Sequence, residues 1–265
     1  MLSELAREEV VVVELKALLF DVDGTLADTE RDGHRVAFNQ AFAEAGLDWD
    51  WSVELYEKLL AVTGGKERIL HYLDNYNTEF KRPDALQEFI AGLHQSKTRH
   101  YTELLNTGAI PLRPGVLRLL QEARQVGLRM AIATTTTPAN VSALLKNTIG
   151  DDGESWFEII AAGDIVPAKK PAPDIYFYAM EHMNLQPADC IAFEDSENGI
   201  HATHAAKLKT IITVNGYTES HNFDGAVIVL NSFGEPDQPF EVLNGNAHGK
   251  TYLDIDLVKQ LHAQN

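Results

Sequence analysis

One cysteine, Cys190, stands in a chain of 265 residues. No internal disulfide framework can form, and the composition suits a reducing compartment such as the cytoplasm. Cys190 sits in the apolar run CIAF and reads as a small buried hydrophobe rather than a nucleophile. Long apolar runs are missing too: none approaches the ~20 residues needed to cross a bilayer. The N-terminal stretch carries Glu4, Arg7, Glu8 and Glu9 ahead of its valines. That is too polar for a signal peptide and has no small-residue cleavage pattern. Basic residues are scarce, 22 Lys and Arg against 39 Asp and Glu, for a formal net charge of −17. A surface of that sign repels nucleic acid and anionic lipid, so neither nucleic acid nor a membrane is an expected partner. An anionic substrate would have to be met by cations gathered locally against the global field. Internal repeats and low-complexity tracts are absent as well.

The apolar fraction of 45% and charged fraction of 23% are ordinary for a globular enzyme. Residues 16–20, 128–133, 158–162, 191–193, 210–214 and 226–230 are short apolar runs without strict alternation. They predict buried strands of a parallel sheet covered on both faces. Helical segments at 115–126, 173–184 and 196–206 separate them, which implies right-handed crossovers. The expected class is α/β: a doubly wound, mostly parallel, Rossmann-like sheet. Residues 32–107 differ, with helical periodicity in VAFNQAFAEAGL, VELYEKLLAVTG and the stretch from Asp84 to Leu105, and no convincing strand. Gly46 reads as a helix C-cap and Pro83 as the start of another helix. The expected division is a core of 1–31 and 108–265 with a helical cap domain of 32–107, and TGAIPLRPG as the return linker. The first fifteen residues and the last twenty read as peripheral; VVVVEL suits an edge strand or an added helix equally.

Asp21-Val22-Asp23-Gly24-Thr25 follows the apolar run ALLF directly. Ligands of open α/β sheets bind beyond the carboxyl ends of strands, and two carboxylates stand there. A bare Asp-x-Asp would read as a turn; with Gly24 opening a special backbone path after a strand, catalysis is the stronger reading. Glu194-Asp195 ends the run IAF in the same way. Alone this pair would serve equally as a helix N-cap. If the first and fourth strands are neighbours, the carboxylates converge on an oxygen-rich site that calls for Mg2+ rather than zinc. Thr134 ends RMAIA and opens four threonines before Pro138, where hydroxyls and amides at a helix start suit a phosphoryl group. Lys170, within KKPAPD, supplies positive charge just before a helix that Pro173 can begin.

DVDGT, strand-terminal Thr134, Lys170 in KKPAPDIY and EDS at 194–196 together resemble the haloacid dehalogenase superfamily over residues 16–230. The resemblance implies that the helical insertion is a mobile cap. It implies that Asp21 attacks phosphorus to give an aspartyl-phosphate, and that Asp23 protonates the leaving oxygen and then activates water. It implies Mg2+ held by Asp21, the Asp23 backbone carbonyl and Asp195 with Glu194 close by, and Thr134 and Lys170 on the transferring phosphoryl. TERDGHR, FNQAF, TGGKERI and AGDIVPAKKP resemble the CbbY-type branch. Its members are sugar-bisphosphate phosphatases of autotrophic carbon fixation that remove the 1-phosphate of xylulose 1,5-bisphosphate, an inhibitor of Rubisco.

The residues of the insertion agree with a two-phosphate substrate. Gly64, Gly65, Lys66 and Arg68 open a helix with free amides and two cations, a grip for the phosphate that is not cleaved. His94 and Lys97 share a face of the next long helix and could reach the same group or only solvent. Glu30 and His34 flank the hinge and could bond sugar hydroxyls; Thr135 and Asn140, in and after the threonine run, are further substrate candidates. Where the family has a glycine this chain has Lys207, a departure that costs stability at a helix end and leaves the chemistry alone. Phosphoglycolate phosphatase and β-phosphoglucomutase chemistry remain alternatives, as do a non-catalytic binding protein and a dehalogenase needing neither Asp23 nor Mg2+.

Overall fold

The computed structural model describes residues 14–108 and 110–264. All six expected strands form: β1 Ala17–Phe20, β2 Arg129–Thr134, β3 Ile159–Ala162, β4 Cys190–Glu194, β5 Lys209–Thr213 and β6 Ile228–Leu230. A seventh, β7 Val242–Gly245, pairs antiparallel with β6; the others are parallel, in the order β3-β2-β1-β4-β5-β6-β7. The helices are α1 Arg35–Glu44, α2 Val53–Leu59, α3 Gly65–Asn75, α4 Leu86–Asn106, α5 Val116–Gln125, α6 Pro138–Thr148, α7 Asp174–His182, α8 Glu197–Ala205 and α9 Ile255–Ala263. None of the described helices is long and apolar enough to cross a membrane.

Alternation along each strand assigns residues to two cores. Leu18 and Phe20, with Ile132, Ile191 and Phe193, face Leu119, Leu144 and Leu257 of α5, α6 and α9. Ala17, Leu19, Ala131, Ala133 and Ala192 face Ile175, Tyr176 and Met180 of α7 and Ala202 of α8. Alanine on that second face lets those helices lie close to the sheet, while full burial of each larger side chain contributes about 1.5–3 kcal/mol. β1 has β2 on one side and β4 on the other, with Phe20 aligned to both Ile132 and Phe193. The chain runs outward from β1 through β2 to β3 and then crosses back to β4 on the other side of β1, so a crevice opens beyond the carboxyl ends of β1 and β4.

α1 to α4 lie between β1 and β2 and build a separate aromatic cluster around Phe38, Phe42, Trp49, Trp51, Tyr56 and Tyr72. Trp51 lies 4.7 Å from Phe38 and 4.9 Å from Phe42 between ring centroids. Gly46 ends α1 at φ +70°, the left-handed conformation expected of a C-cap, and Leu47 N donates to Phe42 O.

Two expectations need correction. α4 begins at Leu86 and not at Pro83, because Ala85 at ψ 56° departs from the helical path. The last twenty residues are not peripheral: α9 places Leu257, Val258 and Leu261 in the main core, all fully buried. Of the N-terminal stretch, only Glu14 and the buried Leu15 lie within the described residues.

Candidate active site at the carboxyl ends of β1 and β4

Asp21 is the first residue past β1, and its amide donates to Phe193 O of β4 at 3.0 Å, tying it to the neighbouring strand. Gly24 turns at φ +85°, and a Cβ there would overlap the Asp195 carboxylate and the Asn215 amide. The turn thus needs glycine for space as well as for conformation. Lys170 Nζ lies 2.6 Å from Asp21 Oδ1 and 2.6 Å from Glu194 Oε1, and the buried Tyr176 hydroxyl donates to that same Glu194 oxygen. Asn215 Nδ2 donates to Asp195 Oδ2 at 2.7 Å. Arg113, in the return linker, donates to the carbonyls of Gly24, Thr213, Val214 and Asn231, pinning the loop after β1 to the ends of β5 and β6.

Oxygens of Asp21, Glu194 and Asp195 lie within 4.8 Å of one another. One ammonium cannot balance three buried carboxylates. Burial pushes the Asp21 carboxyl up to about 8, with Glu194 and Asp23 adding to the rise and Lys170 opposing it. Asp195 is raised well above its ordinary range by burial and by Asp21 and Glu194. Glu194 Oε2 is buried with no hydrogen-bond partner and rests over Gly199, where a Cβ would overlap it. An all-oxygen donor set with crowded charge and an unpartnered oxygen fits a hard divalent cation.

Asp23 faces the insertion. Its Oδ1 accepts from Thr29 Oγ1 at 2.5 Å and pairs with His34 Nε2 at 2.8 Å, while Lys97 Nζ lies 2.7 Å from His34 Nδ1. An ammonium can only donate, so Nδ1 is the acceptor and the ring proton sits on Nε2, aimed at Asp23. Burial raises the Asp23 carboxyl, but His34, Thr29 and Lys97 outweigh it and hold Asp23 well below the usual carboxylate range. Burial in turn lowers Lys97 to about 8, against the pull of Asp23 and Glu30. Glu30 accepts from Tyr56 Oη at 2.5 Å and lies 3.8 Å from the Arg68 guanidinium.

Two cavities meet here. Asp21, Lys170, Glu194 and Asp195 line one of about 400 Å³. Every substrate-binding candidate named from the sequence lines the other, of about 420 Å³: Glu30, His34, Gly64, Gly65, Lys66, Arg68, His94, Lys97, Thr135 and Asn140. Asp23, Glu30, Arg68 and Thr135 line both, so the two form one cleft between the sheet and the insertion. Thr134 lines neither; it is buried, and its hydroxyl accepts from Thr136 N at 3.3 Å, while Thr135, Thr136 and Thr137 line the second cavity and Thr135 lines both. Gly64, at φ +97°, caps α3; a Cβ at Gly64 would overlap Glu67 and Lys169, and one at Gly65 the His94 ring. Burial, helped by Lys97, Lys66 and Lys169, takes His94 down to about 3, so its imidazole is neutral. Asn140 Oδ1 is buried without a partner. Sequence reasoning missed Thr29, Tyr56, Arg113, Tyr176 and Asn215. Only Asn215 carried a usable signal, since it follows the apolar run of β5 at a strand's carboxyl end.

A sequence model of the haloacid dehalogenase-like hydrolases matches residues 15–207, which contain Asp21, Asp23, Thr134, Lys170, Glu194 and Asp195. The chain belongs to this family. It is a phosphatase-type hydrolase. It is 47% identical over 249 residues to the plasmid-encoded protein CbbY of Cupriavidus necator, covering 94% of this chain and 97% of that one. CbbY of Rhodobacter capsulatus is 49% identical over 214 residues, or 81% of this chain and 92% of its own. Among solved structures, a variant of CbbY from Rhodobacter sphaeroides in complex with xylulose 1,5-bisphosphate superposes with a TM-score of 0.77 at 44% identity, covering 82% of this chain and 94% of that one.

Proposed function

We propose that this phosphatase is Mg2+-dependent and removes the 1-phosphate of xylulose 1,5-bisphosphate through an aspartyl-phosphate on Asp21. The observation that carries this is the single cleft, with a carboxylate nucleophile at one end and Lys66, Arg68, Lys97 and Lys169 lining the other. The likeness to a protein crystallised with that bisphosphate supports it. In this reading residues 32–107 are a cap over a core of 1–31 and 108–265, and the substrate lies between them. The cytoplasm is its place of action, which the single buried Cys190 supports.

Asp21 Oδ attacks phosphorus, and Lys170 beside it offsets charge on the transferring group. Asp23, on the insertion side, passes a proton to the leaving sugar oxygen. An incoming phosphate dianion raises its proton affinity for that step, and the two donors on it favour the carboxylate form that then activates water. Mg2+ would be held by Asp21, Asp195 and the Asp23 backbone carbonyl with Glu194 alongside, where it supplies positive charge to the phosphoryl oxygens. His34 and Lys97 hold Asp23 in place, and Thr135 and Asn140 offer hydrogen bonds to the sugar phosphate.

Phosphate release from xylulose 1,5-bisphosphate should far exceed that from phosphoglycolate, and a hexose monophosphate should not be isomerised. The reverse ranking overturns the substrate. Asp21→Asn should abolish turnover in a folded protein, and normal activity in that variant excludes the covalent mechanism.

A further inference from the structure

Four charged side chains form a chain across the cation-lined end of the cleft. Lys66 of α3 pairs with Asp164 in the loop after β3, and Asp164 lies 3.0 Å from Lys169. Lys169 Nζ in turn sits 3.0 and 3.1 Å from the two carboxylate oxygens of Glu67, back on α3. Each charge from the insertion therefore meets an opposite charge from the core. The clasp is built against backbone, since a Cβ on Gly64 would overlap both Glu67 and Lys169. Lys66 and Lys169 are cations that a second phosphate would need, and both are already paired with carboxylates. His94 beside them is neutral and adds no charge.

We infer that Asp164 and Glu67 are specificity-determining residues: their carboxylates occupy Lys66 and Lys169 until the second phosphate of a sugar bisphosphate displaces them. The inference rests on the bisphosphate reading above and concerns the far end of that substrate. A phosphate dianion brings more charge and more acceptor oxygens than a carboxylate, so it wins the lysines. The pairs are weak enough to give way, because an exposed ion pair is worth at most about a fivefold change in an equilibrium constant. Glu67 and Asp164 are 44% and 59% exposed at their side chains, free to swing out, whereas Lys169 at 15% stays. A sugar with one phosphate leaves the clasp shut. Once the reacting phosphate has gone, the two carboxylates compete for the lysines again and help the remaining sugar phosphate leave.

Asp164→Asn and Glu67→Gln in the full chain test this, since both sites are exposed and neither change threatens folding. Phosphate release is followed with xylulose 1,5-bisphosphate and with a ketopentose 1-phosphate. Each substitution should lower the KM for the bisphosphate about two- to fivefold, the range open to an exposed pair. The KM for the monophosphate should move less than half as far, and Lys66→Met should shift the bisphosphate KM upward. If the parent chain hydrolyses the bisphosphate but Asp164→Asn leaves its KM unchanged or raises it, the clasp inference fails alone. Equal shifts for both substrates assign the pairs a structural role and also overturn it. A parent chain active only on monophosphates overturns the functional reading and this inference with it.

Discussion

Tyr176 offers the sharpest test of how the carboxylate cluster around Asp21 is held together. Its hydroxyl is buried under α7 and donates to Glu194 Oε1, the oxygen that also takes Lys170 Nζ at 2.6 Å. Burial and the nearby Glu194 and Asp21 charges raise the phenol well above its ordinary pKa, so it remains a donor at every accessible pH. Tyr176→Phe removes one oxygen and leaves the ring packing intact. A hydrogen bond to a buried charge is worth about 1.5–3 kcal/mol, and the lower end applies because Lys170 stays on Glu194. For a chain of this size each kcal/mol lost lowers Tm by about 2–4 °C. The functional cost follows from charge sharing. Without the hydroxyl, Glu194 draws harder on Lys170, which is also 2.6 Å from Asp21. A loss of about 1.4 kcal/mol of support at the transferring phosphoryl is a tenfold fall in kcat, with KM nearly constant because the far cavity is untouched. Denaturant midpoints and steady-state phosphate release measure the two effects. Loss of less than about 0.5 kcal/mol together with an unchanged kcat would refute the argument, since a donor to a buried carboxylate cannot be removed for so little.

Three further outcomes follow from the same geometry. Gly199→Ala places a Cβ against the Glu194 carboxylate; the Mg2+ concentration for half-maximal activity should rise about tenfold, as for disturbed support of a metal ligand, and an unchanged value would show that Glu194 has room to move. Lys207 ends α8 at φ +61°, so Lys207→Gly should gain about 0.5–1 kcal/mol in urea unfolding with activity retained. Lys97 is depressed from 10.5 to about 8 in the fold, so between those values the unfolded chain binds the extra proton and this residue makes stability rise with pH. The difference amounts to about 3 kcal/mol across that window; Lys97→Met should flatten the rise, and equal slopes in the two proteins would show that Lys97 is not held in this way.

The sheet was legible because its strands are buried on both faces and so appear as bare apolar runs, from ALLF to the end of β6. β7 escaped for the opposite reason: Val242–Gly245 is an exposed edge of four residues with no apolar pattern. α9 escaped because its apolar face closes a core assembled from distant segments, and a C-terminal helix gives no sequence cue to that partner. The carboxylates that gather at the candidate site were readable as a group from their position after strands. Their supports were not. Tyr176 lies six residues beyond Lys170 and reaches Glu194 only through the docking of α7 on the sheet at β2 and β3, while Arg113 finds four carbonyls that no local spacing brings together. Within the threonine run, strand-end position named the right loop, and Thr135 is the member that lines both cavities while Thr134 is buried.

The charge problem posed by composition is solved by dividing the cleft. The cavity beneath the insertion is lined by four cations, Lys66, Arg68, Lys97 and Lys169, against three carboxylates, although the chain as a whole carries −17. The cavity around Asp21 is lined by seven carboxylates against three cations, Lys58, Arg68 and Lys170. A phosphoryl group could not approach Asp21 through that second field unaided, because like charges at such distances repel strongly in a low-dielectric pocket. With Mg2+ in place as proposed, the acidic end can accept an anion, and the basic end accepts one in exchange for the carboxylates on its lysines. A substrate with phosphate at each end satisfies both halves only when the metal is present, so binding as well as turnover should depend on Mg2+. Equilibrium binding of xylulose 1,5-bisphosphate to Asp21→Asn, with and without Mg2+, decides the point: equal affinities would mean that the basic end alone holds the substrate and that the metal serves only the chemical step.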